Sequence, residues 1–99
     1  MEKKYLNIYQ ECIDVWGEDA QIKMCIEEMS ELTKELCKNY RDNFKNTPEQ
    51  IDHICEEIAD VQNMVDQMQH IFGAEKVDEY REAKLARTKL RLDEDRRKK

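Results

Sequence analysis

The chain has 99 residues but only two glycines, Gly17 and Gly73, and one proline, Pro48. These residue types are the strongest punctuators of backbone conformation, so the chain can turn cleanly at few places. Long uninterrupted segments between them exclude a sheet built from short strands and predict helices. The first is expected from about Glu2 to Trp16, with Leu6, Ile8, Tyr9, Cys12, Ile13 and Trp16 as its apolar positions and Gly17 as its stop. The second is expected over Asp19–Tyr40, with a stripe of Ile22, Cys25, Ile26, Met29, Leu32, Leu36 and Tyr40 at spacings of three and four.

A polar stretch, Arg41–Thr47, separates it from the third helix. Thr47-Pro48-Glu49-Gln50 marks that start: threonine caps free amides, proline suits the first helical position, and Gln50 completes a capping box. The third stripe is Ile51, Ile54, Cys55, Ile58, Val61, Val65, Met68 and Phe72, with Met64 at its edge and Gly73 at its end. A fourth helix follows from about Glu75, with a thinner apolar side of Val77, Tyr80, Leu85 and Leu92. Residues 93–99 read as a frayed, charged tail, which leaves one domain over residues 1–92. At about 1.5 Å per residue the two central helices span roughly 33–37 Å, and their short loop sets them antiparallel. The expected fold is all-α: a four-helix, antiparallel bundle subunit.

Composition bounds what such a bundle can do alone. Hydrophobic residues are 39% of the chain and charged residues 40%, so one copy buries little and a homodimer or homotetramer is expected. Cys12, Cys25, Cys37 and Cys55 form no CxxC pair and each neighbours an isoleucine or leucine, which reads as reduced core thiols in a cytoplasmic protein. The segment from Met1 to Lys4 opens no signal peptide, and no apolar run approaches the roughly 20 residues a bilayer requires. Residues 1–80 hold 8 basic and 19 acidic residues, whereas residues 81–99 hold 9 basic and 4 acidic. An acidic body is no general binder of nucleic-acid polymers, and Asp93, Glu94 and Asp95 break the basic end. It suits a body that holds cations and an end that meets an anion, although an ordinary charged surface accounts for the balance equally well.

The most informative residues are carboxylates in the middle of the central helices. One helix reads Glu27-Glu28-Met29-Ser30-Glu31 and the other Glu56-Glu57-Ile58-Ala59-Asp60. Glu28 with Glu31, and Glu57 with Asp60, each share a helix face at i,i+3 and repel. Glu28 and Glu57 border the apolar stripes and have no lysine or arginine one turn away, whereas Glu27 has Lys23. Half-buried carboxylates without partners cost several kcal/mol, on the order of a lost buried ion pair, unless a cation lies between them. Oxygen-only donors fit magnesium, with manganese as a substitute. A di-iron site needs Glu-x-x-His, and no glutamate here has histidine at i+3; His53 and His70 read as ordinary helix residues.

These paired motifs, Glu27-Glu28-Met29-Ser30-Glu31 and Glu57-Ile58-Ala59-Asp60, resemble those of the MazG-type nucleoside triphosphate pyrophosphohydrolases, an all-α superfamily that includes the dimeric dUTPases. Trp16-Gly17 and Lys84-Leu85-Ala86-Arg87 add to the likeness, which spans roughly residues 16–92. The resemblance implies magnesium on Glu28, Glu31, Glu57 and Asp60, and hydrolysis of a nucleoside triphosphate to monophosphate and pyrophosphate. Within that frame Glu27 or Glu31 is the expected proton acceptor. Lys84, Arg87 and Arg91 share a helical face suited to the phosphate chain. Asn63, a turn after Asp60, is a candidate ligand contact, and Trp16 is either plain core or part of a base pocket. The chain has no second copy of the domain, as longer members do, and is shorter than most dimeric dUTPases. The competing reading is a helical interaction or regulatory module without catalysis, which explains the stripes but not the unpaired carboxylates beside them.

Overall fold

A computed structural model describes residues 3–98; Met1, Glu2 and Lys99 lie outside the described residues, and with them the expected start at Glu2. Those residues form four helices and no strand: α1 (Lys3–Trp16), α2 (Glu18–Arg41), α3 (Pro48–Phe72) and α4 (Ala74–Lys98). Gly17 joins the first two at φ 91°, a conformation that costs other residues strain, and its amide closes α1 on the Ile13 carbonyl at 2.8 Å. Gly73, at φ 137°, makes the same kind of break between α3 and α4.

The loop after α2 is held by its own side chains. Asn39 Nδ2 donates to Asn46 Oδ1 at 2.9 Å, and Gln50 Nε2 donates to Asp42 Oδ2 at 2.7 Å. The capping box is present: the Gln50 amide donates to Thr47 Oγ1 at 3.2 Å and the Thr47 amide to Gln50 Oε1 at 3.0 Å. Asn43, Phe44 and Asn46 take positive φ, and Phe44 stacks edge-on against Tyr40 with ring centroids 5.2 Å apart.

Most of the packing joins α2 to α3; α1 lies more lightly on both, and the backbone of α4 approaches α3 alone. Among the described residues the buried apolar side chains are Tyr9, Cys25 and Met64. The face that α2 turns inward is Gln21, Cys25, Glu28, Leu32, Glu35 and Asn39. It is rotated by about one residue from the expected stripe, so Ile26, Met29, Leu36 and Tyr40 stay exposed. In α3 the inward face is Gln50, Ile54, Glu57, Val61 and Met64, and Ile51, Ile58, Val65 and Phe72 stay exposed. Each apolar arc is wider than one neighbouring helix covers, and only one edge of it is used.

Three further expectations are corrected. Trp16 is not core: it is 62% exposed at the end of α1. Cys37 and Cys55 are exposed, while Cys25 is buried and Cys12 half-buried, so only part of the thiol set belongs to the interior. The boundary at Leu92 is not a helix end, because α4 continues through residues 93–98. Lys89 Nζ meets Asp93 Oδ1 at 2.9 Å across it, and Arg96, Arg97 and Lys98 favour the negative end of the helix dipole.

Candidate functional site

Midway along the α2–α3 contact, the inward positions are occupied by carboxylates. Glu28 from α2 and Glu57 and Asp60 from α3 each place one carboxylate oxygen within 4.8 Å of the others. Glu28 and Glu57 are half-buried, more deeply placed than the stripe border expected of them, because the inward face runs through both. Their carboxyls are held above the usual carboxylate range, first by partial loss of solvent and then by neighbouring negative charge. For Glu28 that charge comes from Asp60, Glu57, Glu31 and Glu27 in turn. For Glu57 it comes from Asp60, Glu31, Glu56 and Glu35. No lysine or arginine pairs with either among the described residues.

The donor set fits a hard divalent cation by a test independent of charge. Glu57 Oε2 is buried and has no hydrogen-bond partner, an arrangement that is unfavourable unless something electropositive meets that oxygen. Glu31, the fourth expected ligand, stands one turn from Glu28 and is exposed, outside the three-carboxylate cluster but close enough to raise both buried partners. Glu27 is also exposed and acts on Glu28 through charge.

Beside the cluster lies an apolar cleft of about 340 Å³ between α1 and the central pair. Tyr9, Trp16, Met24, Asn63, Met64 and Gln67 line it. Met24 is one turn before Glu28 and Asn63 one turn after Asp60, so the cleft continues the same stretch of both helices. Trp16 and Asn63, far apart in sequence, are thus brought to one place. The buried Tyr9 hydroxyl donates to Asn63 Oδ1 at 3.4 Å; burial, followed by the Asp66 charge, raises its pKa.

Lys84, Arg87 and Arg91 are not brought to the carboxylates. They are exposed along α4 and form no ion pair with the cluster among the described residues. Arg81, one turn earlier, comes closer: it lines an open groove with Val61, Asn63 and Gln69.

Several participants escaped the sequence reading. Gln21 and Gln67 are 2% and 3% exposed, and Gln67 Oε1 has no partner. Polar side chains inside an amphipathic helix look like surface until the neighbour is known. Glu35 was detectable, since it stands seven residues after Glu28 and so repeats its face; it is half-buried and 3.7 Å from Lys38. Compared with protein-family models, curated proteins and solved structures, the chain matches none.

Proposed function

We propose that this chain is a magnesium-dependent nucleoside triphosphate pyrophosphohydrolase, acting in the cytoplasm in nucleotide-pool house-cleaning. The observation that carries the reading is the convergence of Glu28, Glu57 and Asp60 with a buried, unpartnered oxygen on Glu57. An acidic cluster at the middle of the principal helix contact is costly as structure alone, which supports a cation as its natural complement. Glu28, Glu31, Glu57 and Asp60 hold magnesium, for which manganese substitutes. When bound, the ion neutralises charge on the triphosphate and polarises the reacting phosphorus.

The chain's own groups do the rest. Water adds to the α-phosphorus, the α–β bridging bond breaks, and the bridging oxygen leaves with pyrophosphate. Glu31 or Glu27, exposed beside the cluster, accepts the water's proton. The apolar cleft takes the base and sugar: Trp16 offers a flat surface, and Asn63, held by Tyr9, offers polar atoms beside Asp60. Lys84, Arg87 and Arg91 bind the phosphate chain, and because α4 stands away from its own cluster they serve the site only after α4 moves or from another copy. The subunit is read as an antiparallel bundle completed by self-association.

The decisive experiment is pyrophosphate release from a panel of common and modified nucleoside triphosphates, with magnesium and then with excess EDTA. Magnesium-dependent release that disappears in Glu57→Gln supports the reading. No release from any triphosphate sinks it. The exposed apolar side chains of α2 and α3 favour one other reading, a non-catalytic interaction module. On that reading Glu28→Gln and Glu57→Gln stabilise the chain or leave it unchanged, and magnesium has no effect on wild-type stability.

A further inference from the structure

We infer that Gln67 is the residue that reads the ligand in the apolar cleft: a flat, uncharged heterocycle whose edge donates an N–H to the Gln67 side-chain carbonyl. Reading that heterocycle as the base of a nucleotide rests on the function proposed above; the contact itself does not.

Gln67 is 3% exposed and lines the cleft, and its Oε1 is buried with no hydrogen-bond partner. A buried carbonyl without a donor opposes folding, and a methionine would fill similar space without that cost. Gln21, 2% exposed, enters the same cleft from α2, and Asn63 stands one turn before Gln67 on α3. Among the described residues no acidic or basic side chain lines the cleft. Amides set in an otherwise apolar, uncharged lining suit a neutral ring and disfavour a phosphate or a metal ion there.

The amide sets what the ring must carry. The unmet atom is an acceptor, so the ligand has to donate. A glutamine presents its carbonyl beside its NH2, and the pair matches an edge on which an N–H stands next to a lone pair. Nucleobases have such edges: the amino group beside a ring nitrogen in adenine and cytosine, the ring N–H beside a carbonyl in uracil. The last torsion of glutamine is broad, so the amide turns toward the cleft at little cost.

Position joins this contact to the carboxylates. Gln67 follows Asp60 by two turns, about 10 Å along the same face of α3. Two buried, unpartnered oxygens therefore share one helix: Glu57 Oε2 at the three-carboxylate cluster and Gln67 Oε1 at the cleft. One elongated molecule answers both, with its anionic end on a cation at the cluster and its ring on Gln67.

Three pairs of triphosphates that differ in the edge N–H test the inference, by magnesium-dependent pyrophosphate release. They are adenosine against purine riboside, cytidine against its analogue with hydrogen for the amino group, and uridine against 3-methyluridine. Losing the N–H should lower kcat/KM about ten- to hundredfold, mainly through KM. In Gln67→Met that penalty should shrink to within about twofold, because both changes remove one interaction. Thermal unfolding without ligand should find Gln67→Met at least as stable as the wild type. No penalty in the wild type, or an undiminished one in Gln67→Met, overturns the assignment and leaves the hydrolysis standing. A Gln67→Met chain that is clearly less stable gives the amide a structural role and overturns it as well. If none of the six is hydrolysed, the proposed reaction fails, and binding of the same six nucleosides, followed by Trp16 fluorescence, decides the inference alone. Tighter binding of the N–H-bearing members, lost in Gln67→Met, supports it; equal binding within each pair, or none, overturns it.

Discussion

Helices α3 and α4 have the same length, 25 residues each, and follow one another across a single glycine. They owe their form to different causes. α3 packs along α2, buries Met64, Gln67 and Gln69, and carries Glu57 and Asp60 inward. α4 buries no residue, and Leu85, Leu90 and Leu92 remain exposed. What supports α4 is local: residues of high helix propensity, the Lys89–Asp93 and Arg81–Asp78 pairs, and a basic last turn. Local forces suffice to shape a helix, but a chemical site needs the second helix. The perturbed carboxyls of Glu28 and Glu57 stand where α2 faces α3.

The contrast can be broken most sharply at Glu57. Glu57→Gln should lower magnesium-dependent pyrophosphate release by about a hundredfold or more, while Arg91→Gln on α4 should cost less than about tenfold; steady-state release assays check both. Equal losses would remove the distinction between a centre on the seam and an accessory helix.

Next in size is the packing difference. Met64→Ala should destabilise the chain by about 2–4 kcal/mol in urea titration, because it leaves a cavity in a small core. Leu85→Ala, at a 64% exposed position, should stay within about 0.5 kcal/mol.

The pH response sharpens the same point. In the metal-free chain Glu28 and Glu57 bind protons more tightly folded than unfolded, so folding gains stability from protonation. That gain is complete below the ordinary carboxylate range and is lost as pH rises through the elevated folded values. Thermal unfolding in EDTA should therefore show stability rising as pH falls from neutral toward that range. The rise should flatten in the Glu28→Gln, Glu57→Gln double variant, and magnesium, which binds the deprotonated groups, should reverse it. A wild-type slope unchanged by the double substitution would remove these two carboxyls from the account.

The smallest effect belongs to α4 alone. Lys89→Ala removes an exposed i,i+4 pair and should cost about 0.2–0.5 kcal/mol, visible as faster amide exchange near the end of α4 with α2 and α3 unchanged.

Much of this was readable in advance, for reasons that differ by residue. Thr47, Pro48 and Gln50 act through bonds within four residues, so their capping box needed no neighbour to be foreseen. Glu28 and Glu57 were conspicuous because no lysine or arginine stands one turn away, and a missing partner is a local property too. Gln21 and Gln67 gave no such sign, since burial of an amide depends on what packs over it. Trp16 misled in the opposite direction: its size favours the interior, but α1 ends there and nothing closes over it.

The sequence by itself determined the number of helices, their breaks at Gly17 and Gly73, the cap at Thr47 and the two acidic motifs, because each depends on interactions within a turn or two of chain. The tertiary structure alone decided which edge of each apolar arc faces inward. One residue of register turns a helix by about 100°, and that rotation carried Glu28 and Glu57 into the seam, joined Trp16 to Asn63 across one cleft, and left the other edge bare. Periodicity defines a stripe; only the neighbouring helix selects the part of it that becomes the interior.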